Sequence, residues 1–107
     1  MSIFSIFQRT DMDKGLEQAR QTPGALILDV RTEGEYAAGH VPGSRNIPLD
    51  RIGAAALDRA VPLFVYCRSG ARSSQACSIL RQRGYSATNI GGILQYEGTL
   101  EHGGGKE

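Results

Sequence analysis

The chain has 107 residues, 40% of them hydrophobic, with 12 Lys and Arg against 11 Asp and Glu and a net charge of +1. This length fits one domain with a modest core, the balanced charge argues against a nucleic-acid binder, and no apolar run approaches the roughly 18 residues of a membrane span. The two cysteines cannot form a disulfide framework and have no zinc-site spacing, so we expect free thiols, no metal or other cofactor, and a cytoplasmic location.

The first half of the chain predicts a helix, a strand and a helical turn. Asp11 can cap a helix that runs to about Gln21, and its apolar residues share one face: Met12, Leu16 and Ala19. The run Leu26–Val30 does not alternate polar with apolar residues, which is typical of a buried parallel strand. Residues 33–38 then predict a short turn of helix that ends at Gly39.

The second half predicts two longer helices and two strands. A helix is expected over residues 50–60, where four residues have helical spacing: Ile52, Ala55, Ala56 and Arg59. A second buried strand, Leu63–Cys67, follows. The next helix, over residues 73–83, puts three apolar residues on one face: Ala76, Cys77 and Leu80. A short third strand is expected over Ala87–Ile90.

The alternation of strands and helices indicates an α/β fold, in which a mainly parallel central β-sheet is covered by helices on both faces. We expect this fold to form a single domain over residues 1–97. Residues 98–107 contain three consecutive glycines and are expected to form a flexible C-terminal tail.

The region around Cys67 departs from the average charge of the chain. Between Asp58 and Glu97 there is no acidic residue, whereas five arginines and both cysteines lie there. Cys67 ends a predicted strand, where open α/β sheets bind ligands, and a glycine-containing loop leads from it to a helix. Helix N–H groups and the loop arginines, Arg68 and Arg72, both lower the pKa of a thiol. This loop favours a thiolate nucleophile and an anion site over the packing role usual for a buried cysteine.

The spacing of Cys67 and Arg72 separates two kinds of anion chemistry. Tyrosine-phosphatase-type loops place five residues between these two residue types and wrap a tetrahedral phosphate. Here four residues intervene, and Ser73 stands where the longer loop needs arginine. The shorter loop disfavours a phosphatase or an arsenate reductase and suits a smaller group, such as one extra sulfur atom on Cys67.

Several short motifs, in this order and at this spacing, resemble the rhodanese family over about residues 3–97. They are Leu28–Arg31, Glu35-Tyr36, Gly39–Ser44, Asn46–Pro48, Tyr66–Ser73, Gly84-Tyr85 and Asn89–Ile93. The chain is similar to single-domain, rhodanese-like sulfurtransferases. It departs from the family at Tyr96, where many members have tryptophan.

The resemblance implies a two-step covalent mechanism. Cys67 attacks the outer sulfur of a small anionic donor such as thiosulfate, releases sulfite, and passes the persulfide sulfur to cyanide, a thiol or a protein acceptor. By position, the residues implied to bind the substrate or hold the persulfide are Arg68, Ser69, Gly70, Ala71, Arg72 and Ser73. Arg68 and Arg72 are implied to attract and orient the donor. A second hypothesis is a non-enzymatic or relay module that takes sulfur from, or docks to, a protein partner.

Four further residues have structural interpretations. Asp29 and Arg31 flank a strand end, where an ion pair that braces the loop is favoured over catalysis, because a thiolate attack needs no general acid. His40 lies in a turn-rich loop with no acidic or cysteine neighbour, so structural support is favoured over a general base. Cys77 lies on an apolar helix face and is predicted to pack, with a redox role beside Cys67 as the alternative.

Overall fold

The computed structural model describes residues 11–104. The helices are α1 (Asp11–Gln21), α2 (Glu33–Ala38) and α3 (Ala71–Gln82). The strands are β1 (Leu26–Asp29), β2 (Arg45–Asn46), β3 (Leu63–Cys67) and β4 (Ala87–Gly92). Two short 3-10 helices, Leu49–Ala54 and Ile93–Gln95, complete the described elements. Any element before Asp11, and the last three residues of the predicted tail, lie outside the described residues.

The four strands form one parallel sheet in the order β2-β1-β3-β4. Strand β3 lies inside the sheet, and all five of its residues are buried, as expected for a strand covered on both faces. Leu63, Val65 and Cys67 belong to one core cluster, which includes residues of α3. Phe64 and Tyr66 belong to the other, which includes residues of α1. The predicted α/β fold is therefore confirmed.

Most predicted elements lie within two residues of their observed ends. Strand β1 ends one residue earlier than predicted, β4 continues two residues further to Gly92, and α3 begins two residues earlier at Ala71. Strand β2 and the 3-10 helix after β4 were not predicted. Each has two or three residues, which is too short to carry a periodic signal.

The helix predicted over residues 50–60 is wrong. A 3-10 helix covers Leu49–Ala54, and the backbone turns to an extended conformation at Ala55. The hydroxyl of Tyr85 accepts a hydrogen bond from the Leu57 N–H at 3.1 Å and lies 3.0 Å from the Leu57 carbonyl oxygen. The Arg59 guanidinium lies over the Tyr85 ring, 4.7 Å from its centre. These contacts to a residue about 30 positions away keep residues 55–60 out of a helix, despite their helical spacing.

The segment after Gly98 contacts the domain. His40 and Glu101 exchange two main-chain hydrogen bonds of 2.8 and 2.9 Å, and the Gly103 N–H donates to the Ala37 carbonyl oxygen at 2.7 Å. The division into a domain of residues 1–97 and a flexible tail stays a prediction. Within residues 11–104, no helix is long and apolar enough to cross a membrane.

Candidate active site

Cys67 is the last residue of β3, and residues 68–70 connect it to the first turn of α3. Gly70 has a φ of +107°, a left-handed conformation that residues with a Cβ rarely adopt. This conformation lets the Gly70 N–H donate to the Cys67 sulfur at 3.0 Å. A Cβ on Gly92 would overlap the Arg68 carbonyl group, so the end of β4 needs glycine to lie directly against the loop.

The Cys67 sulfur is held by hydrogen-bond donors. The Ser73 hydroxyl lies 3.4 Å from it, in addition to the Gly70 N–H. Burial raises the pKa of the Cys67 thiol, but donation from the Ser73 hydroxyl and from the main-chain N–H groups of Ser73, Gly70 and Ser69 outweighs burial and leaves the pKa below its ordinary value. The sequence predicted that helix N–H groups and arginine charges would both lower the pKa of Cys67. In the structure, hydrogen bonds from the Ser73 hydroxyl and the main-chain N–H groups are the main cause of the lowered pKa.

Arg72 does not point freely into solvent. Its guanidinium makes a two-pronged ion pair with Glu35, with N–O distances of 2.7 and 3.0 Å. The pair holds the pKa of Glu35 down, mainly through the Arg72 hydrogen bond, to about 2. Glu35 is also fixed at the start of α2 by a reciprocal capping box with Thr32. The predicted donor-binding charge of Arg72 is therefore largely neutralised.

Arg68 is the exposed cation of the loop. Its carbonyl oxygen accepts a hydrogen bond from the Leu94 N–H at 3.2 Å, which fixes its backbone. Within residues 11–104, no carboxylate lies within ion-pair distance of its side chain. Of the two loop arginines, Arg68 is thus the one whose charge is not paired with a carboxylate in the described part of the chain.

Asp29 and Arg31 form a buried ion pair behind the loop. The Arg31 Nη2 atom lies 2.6 Å from Asp29 Oδ2 and 2.7 Å from the carbonyl oxygen of Gly39. The Asn46 amide donates to the carbonyl oxygens of both Asp29 and Arg31, at 2.9 and 3.0 Å. The predicted pair is present, and its contacts brace the chain between α2 and β2.

His40 and Cys77 both lie in packed surroundings. The His40 ring stacks on Tyr36 with 3.6 Å between ring centres, and its Nδ1 atom lies 2.8 Å from the Tyr36 carbonyl oxygen. Its other ring nitrogen lies 3.8 Å from a Glu101 carboxylate oxygen. Cys77 is buried beside α3's other core residues, and burial raises the pKa of its thiol. These surroundings agree with a structural interpretation of both residues.

Sequence reasoning missed two side chains at this site. Glu35 pairs with Arg72, which lies 37 positions away. The sequence marks Glu35 as part of a family motif and as the end of a Thr-x-x-Glu capping pattern from Thr32, but neither signal indicates the contact with Arg72. Asn89 contacts Ser73 through an Oδ1–Oγ distance of 2.7 Å, and nothing in its immediate sequence indicates that contact.

A cleft of about 390 Å³ opens beside Arg72. It is lined by Val30, Thr32, Pro48, Leu49, Asp50 and Arg72. Most of this lining is apolar, so the cleft suits the organic part of a small molecule better than a bare anion. Within residues 11–104, no group of three or more His, Cys, Asp and Glu side chains is arranged to hold a metal ion.

This chain is similar in sequence and in fold to known proteins. Residues 12–98 match the family model of the rhodanese-like domain. A sulfurtransferase of Allochromatium vinosum is 37% identical, and the match covers 80% of this chain and 84% of that protein. The thiosulfate:glutathione sulfurtransferase of Saccharomyces cerevisiae is 32% identical, and the match covers 81% of this chain and 73% of that protein. The crystal structure of a rhodanese-like domain protein from Staphylococcus aureus superposes with a TM-score of 0.74 at 28% identity, over 85% of this chain and 93% of that one.

Proposed function

Because this chain belongs to the rhodanese-like domain family, whose members similar to it include sulfurtransferases, we propose that it transfers sulfane sulfur from thiosulfate through a persulfide on Cys67. The observation that carries the proposal is the Cys67 sulfur at the end of β3, with its pKa lowered by donors from residues 69–70 and from Ser73 in the first turn of α3. A lowered thiol pKa increases the fraction of thiolate at a given pH, and the thiolate is the nucleophilic form of cysteine. The yeast relative, whose name includes thiosulfate, supports this donor.

The donor half-reaction needs no proton transfer. The Cys67 thiolate attacks the outer sulfur of thiosulfate, the S–S bond of thiosulfate breaks, and sulfite leaves with the electron pair. The product is a persulfide whose terminal sulfur is negatively charged. The main-chain N–H groups around the Cys67 sulfur are fixed donors of the kind that stabilise a negative charge. No general base is required, which agrees with the position of His40 against Tyr36.

The acceptor half-reaction returns the enzyme to its starting state. Cyanide or a thiolate attacks the terminal persulfide sulfur, and the Cys67 thiolate leaves with the electron pair of the S–S bond. The products are thiocyanate or a new persulfide. The cleft beside Arg72 offers room for an organic thiol, and the yeast relative is named for glutathione. This thiol chemistry suits a reducing compartment such as the cytoplasm.

A second candidate is a relay module that passes sulfur to or from a protein. Leu94 is 62% exposed, and its N–H contacts the Arg68 carbonyl oxygen. This exposed apolar side chain beside the loop is available for contact with a partner protein. Under this candidate Cys67 accepts sulfur, but thiosulfate is a poor donor.

Intact mass after incubation with thiosulfate tests the proposal. We expect one added sulfur atom on the wild type and on Cys77→Ser, and none on Cys67→Ser. Turnover of thiosulfate and cyanide by Cys67→Ser would contradict the proposal. Loading from a protein persulfide but not from thiosulfate would favour the relay module, and turnover of an aryl phosphate alone would favour a phosphatase.

A further inference from the structure

The Ser73 hydroxyl has one proton and several acceptors within reach. Ser73 is completely buried, so water does not compete for this proton. The acceptors are Asn89 Oδ1 at 2.7 Å, the Gly70 carbonyl oxygen at 3.1 Å, the Cys67 sulfur at 3.4 Å and the Gly91 carbonyl oxygen at 3.5 Å. The contact to Asn89 has the usual length of a good O–H···O hydrogen bond. A donor with one proton cannot serve Asn89 and Cys67 fully at once.

Two backbone groups fix the orientation of the Asn89 amide. The Gly91 N–H donates to Asn89 Oδ1 at 3.0 Å, and Asn89 Nδ2 donates to the Gly70 carbonyl oxygen at 3.2 Å. A flipped amide would face a donor with a donor and an acceptor with an acceptor. The Asn89 oxygen therefore faces the Ser73 hydroxyl and can only accept its proton.

The position of Asn89 follows from a bulge in β4. Val65 pairs with Asn89 and Tyr66 pairs with Gly91, so Ile90 is an extra residue in the register. Ile90 is buried against α1, where a Cβ on Gly15 would overlap it. Bulges re-aim the side chains beside them, and here Asn89 is aimed at the loop.

We propose that Asn89 is a positioning residue that competes with the Cys67 sulfur for the single hydroxyl proton of Ser73. While the Ser73 hydroxyl donates to Asn89, only main-chain N–H groups stabilise the Cys67 thiolate. A less stabilised thiolate is the stronger nucleophile. When the hydroxyl turns to the sulfur, the thiolate that leaves in the acceptor half-reaction is better stabilised. The assignment of the two hydroxyl orientations to the two half-reactions rests on the proposed function. The competition between Asn89 and the Cys67 sulfur does not.

The charged groups around the loop are the Arg72–Glu35 pair, the buried Asp29–Arg31 pair and Arg68. Asp11 and Lys14 of α1 line a cleft together with Asn89. None of them contacts Asn89 through a hydrogen bond within residues 11–104. A change of Asn89 to a neutral residue therefore leaves their charges in place. Asn89 itself is exposed, so its replacement does not open a cavity in the core.

The test is the pKa of the resting Cys67 thiol, measured from the pH dependence of its alkylation by iodoacetamide. A Cys77→Ala background leaves one reactive thiol. In Asn89→Ala the freed hydroxyl has the Gly70 carbonyl oxygen at 3.1 Å and the sulfur at 3.4 Å within reach. Because the thiolate is the charged acceptor, it draws the proton more strongly, and we expect the pKa to fall by about half a unit to one unit. In Asn89→Asp the competing acceptor becomes a carboxylate, and we expect the pKa to rise. If Asn89 only braced the loop, both variants would raise the pKa, and that result would overturn the proposal.

The Ser73→Ala background shows whether Asn89 acts through Ser73. There, Asn89→Ala is expected to leave the Cys67 pKa unchanged within about 0.2 units, since the competing proton is gone. An equal fall in both backgrounds would contradict the competition. These measurements use no sulfur donor, so they stand whether or not thiosulfate loads Cys67.

Discussion

At the scale of single residues, opposing effects act on the Cys67 sulfur. Burial disfavours a thiolate because it removes water from the charge, whereas the donors Ser69, Gly70 and Ser73 favour it. The pKa lies below its ordinary value, so the donors have the larger effect. The two loop arginines also differ from each other. Glu35 largely neutralises the charge of Arg72, whereas Arg68 is exposed.

Replacing each loop arginine tests this difference. We expect Arg68→Ala to raise the KM for thiosulfate about 3- to 10-fold, because it removes the exposed charge that attracts the donor. The KM for an uncharged sulfur donor is expected to change less. Steady-state kinetics at low and high salt measure both effects, and an equal rise for the two donors would contradict the electrostatic role.

Arg72→Ala removes a charge and also leaves Glu35 unneutralised beside the loop. We therefore expect a rise in the KM for thiosulfate that the double variant Arg72→Ala, Glu35→Gln largely reverses. The same kinetic assay compares the two variants. If the double variant stays as impaired as Arg72→Ala, Arg72 contacts the donor directly, as the resemblance to the rhodanese family implies.

At the scale of elements, the site depends on α2 and β4 as much as on β3. Helix α2 supplies Glu35, which ties the Arg72 end of the loop to a capped helix start. Strand β4 supplies Gly92, which lies directly against the Arg68 carbonyl group. The loop is therefore held on two sides by elements far from it in sequence.

The ion pair between α2 and the loop predicts a pH-dependent stability. Its pairing lowers the pKa of Glu35 from 4.5 to about 2, so the stabilisation is present above pH 4.5 and is lost as pH falls towards 2. We expect Glu35→Gln to lower the Tm at pH 7 and to match the wild type near pH 2. Thermal unfolding of both proteins between pH 2 and pH 7 measures the difference in Tm. A difference that stays constant over this range would show that the Glu35 charge does not cause the stabilisation.

The close approach of β4 to the loop predicts a large effect of one methyl group. Gly92→Ala must push the Arg68 carbonyl group away, so we expect a loss of stability of about 2 kcal/mol or more. Gly34 in α2 has open space around its Cβ position, and Gly34→Ala is expected to be neutral or stabilising by about 0.5–1 kcal/mol. Urea unfolding measures the free energy of unfolding of Gly92→Ala and Gly34→Ala. Equal values for the two variants would contradict the close contact between Gly92 and the loop.

At the scale of the whole molecule, the two core clusters on opposite faces of the sheet position the site. Cys67 belongs to the cluster that includes residues of α3, which fixes the strand end and the helix start that flank the loop. The segment after Gly98 lies elsewhere, against His40 and Ala37. It contributes main-chain hydrogen bonds to the fold and no described contact to the Cys67 sulfur.

Truncation after Glu97 tests the predicted domain boundary. We expect residues 1–97 to fold and to accept sulfur on Cys67, with the Tm lowered by about 4–8 °C for each 1 kcal/mol of lost hydrogen bonding. Circular dichroism and intact mass after thiosulfate measure the two outcomes. An unfolded product would show that residues 98–104 belong to the domain.

Local patterns in the sequence determined three of the four strands and the sheet type, and they predict a nucleophile at Cys67. Leu63–Cys67 is a continuous apolar run, and the glycine after it marks the loop, so neighbouring residues alone predicted a buried strand that ends at a nucleophile. The error over residues 50–60 arose because helical spacing says nothing about Tyr85, whose hydroxyl and ring hold the second half of that segment out of a helix. Only the tertiary structure pairs Arg72 with Glu35 and Ser73 with Asn89. Those partners lie 37 and 16 residues apart, and side-chain contacts at such separations depend on how the elements pack rather than on the residues beside them.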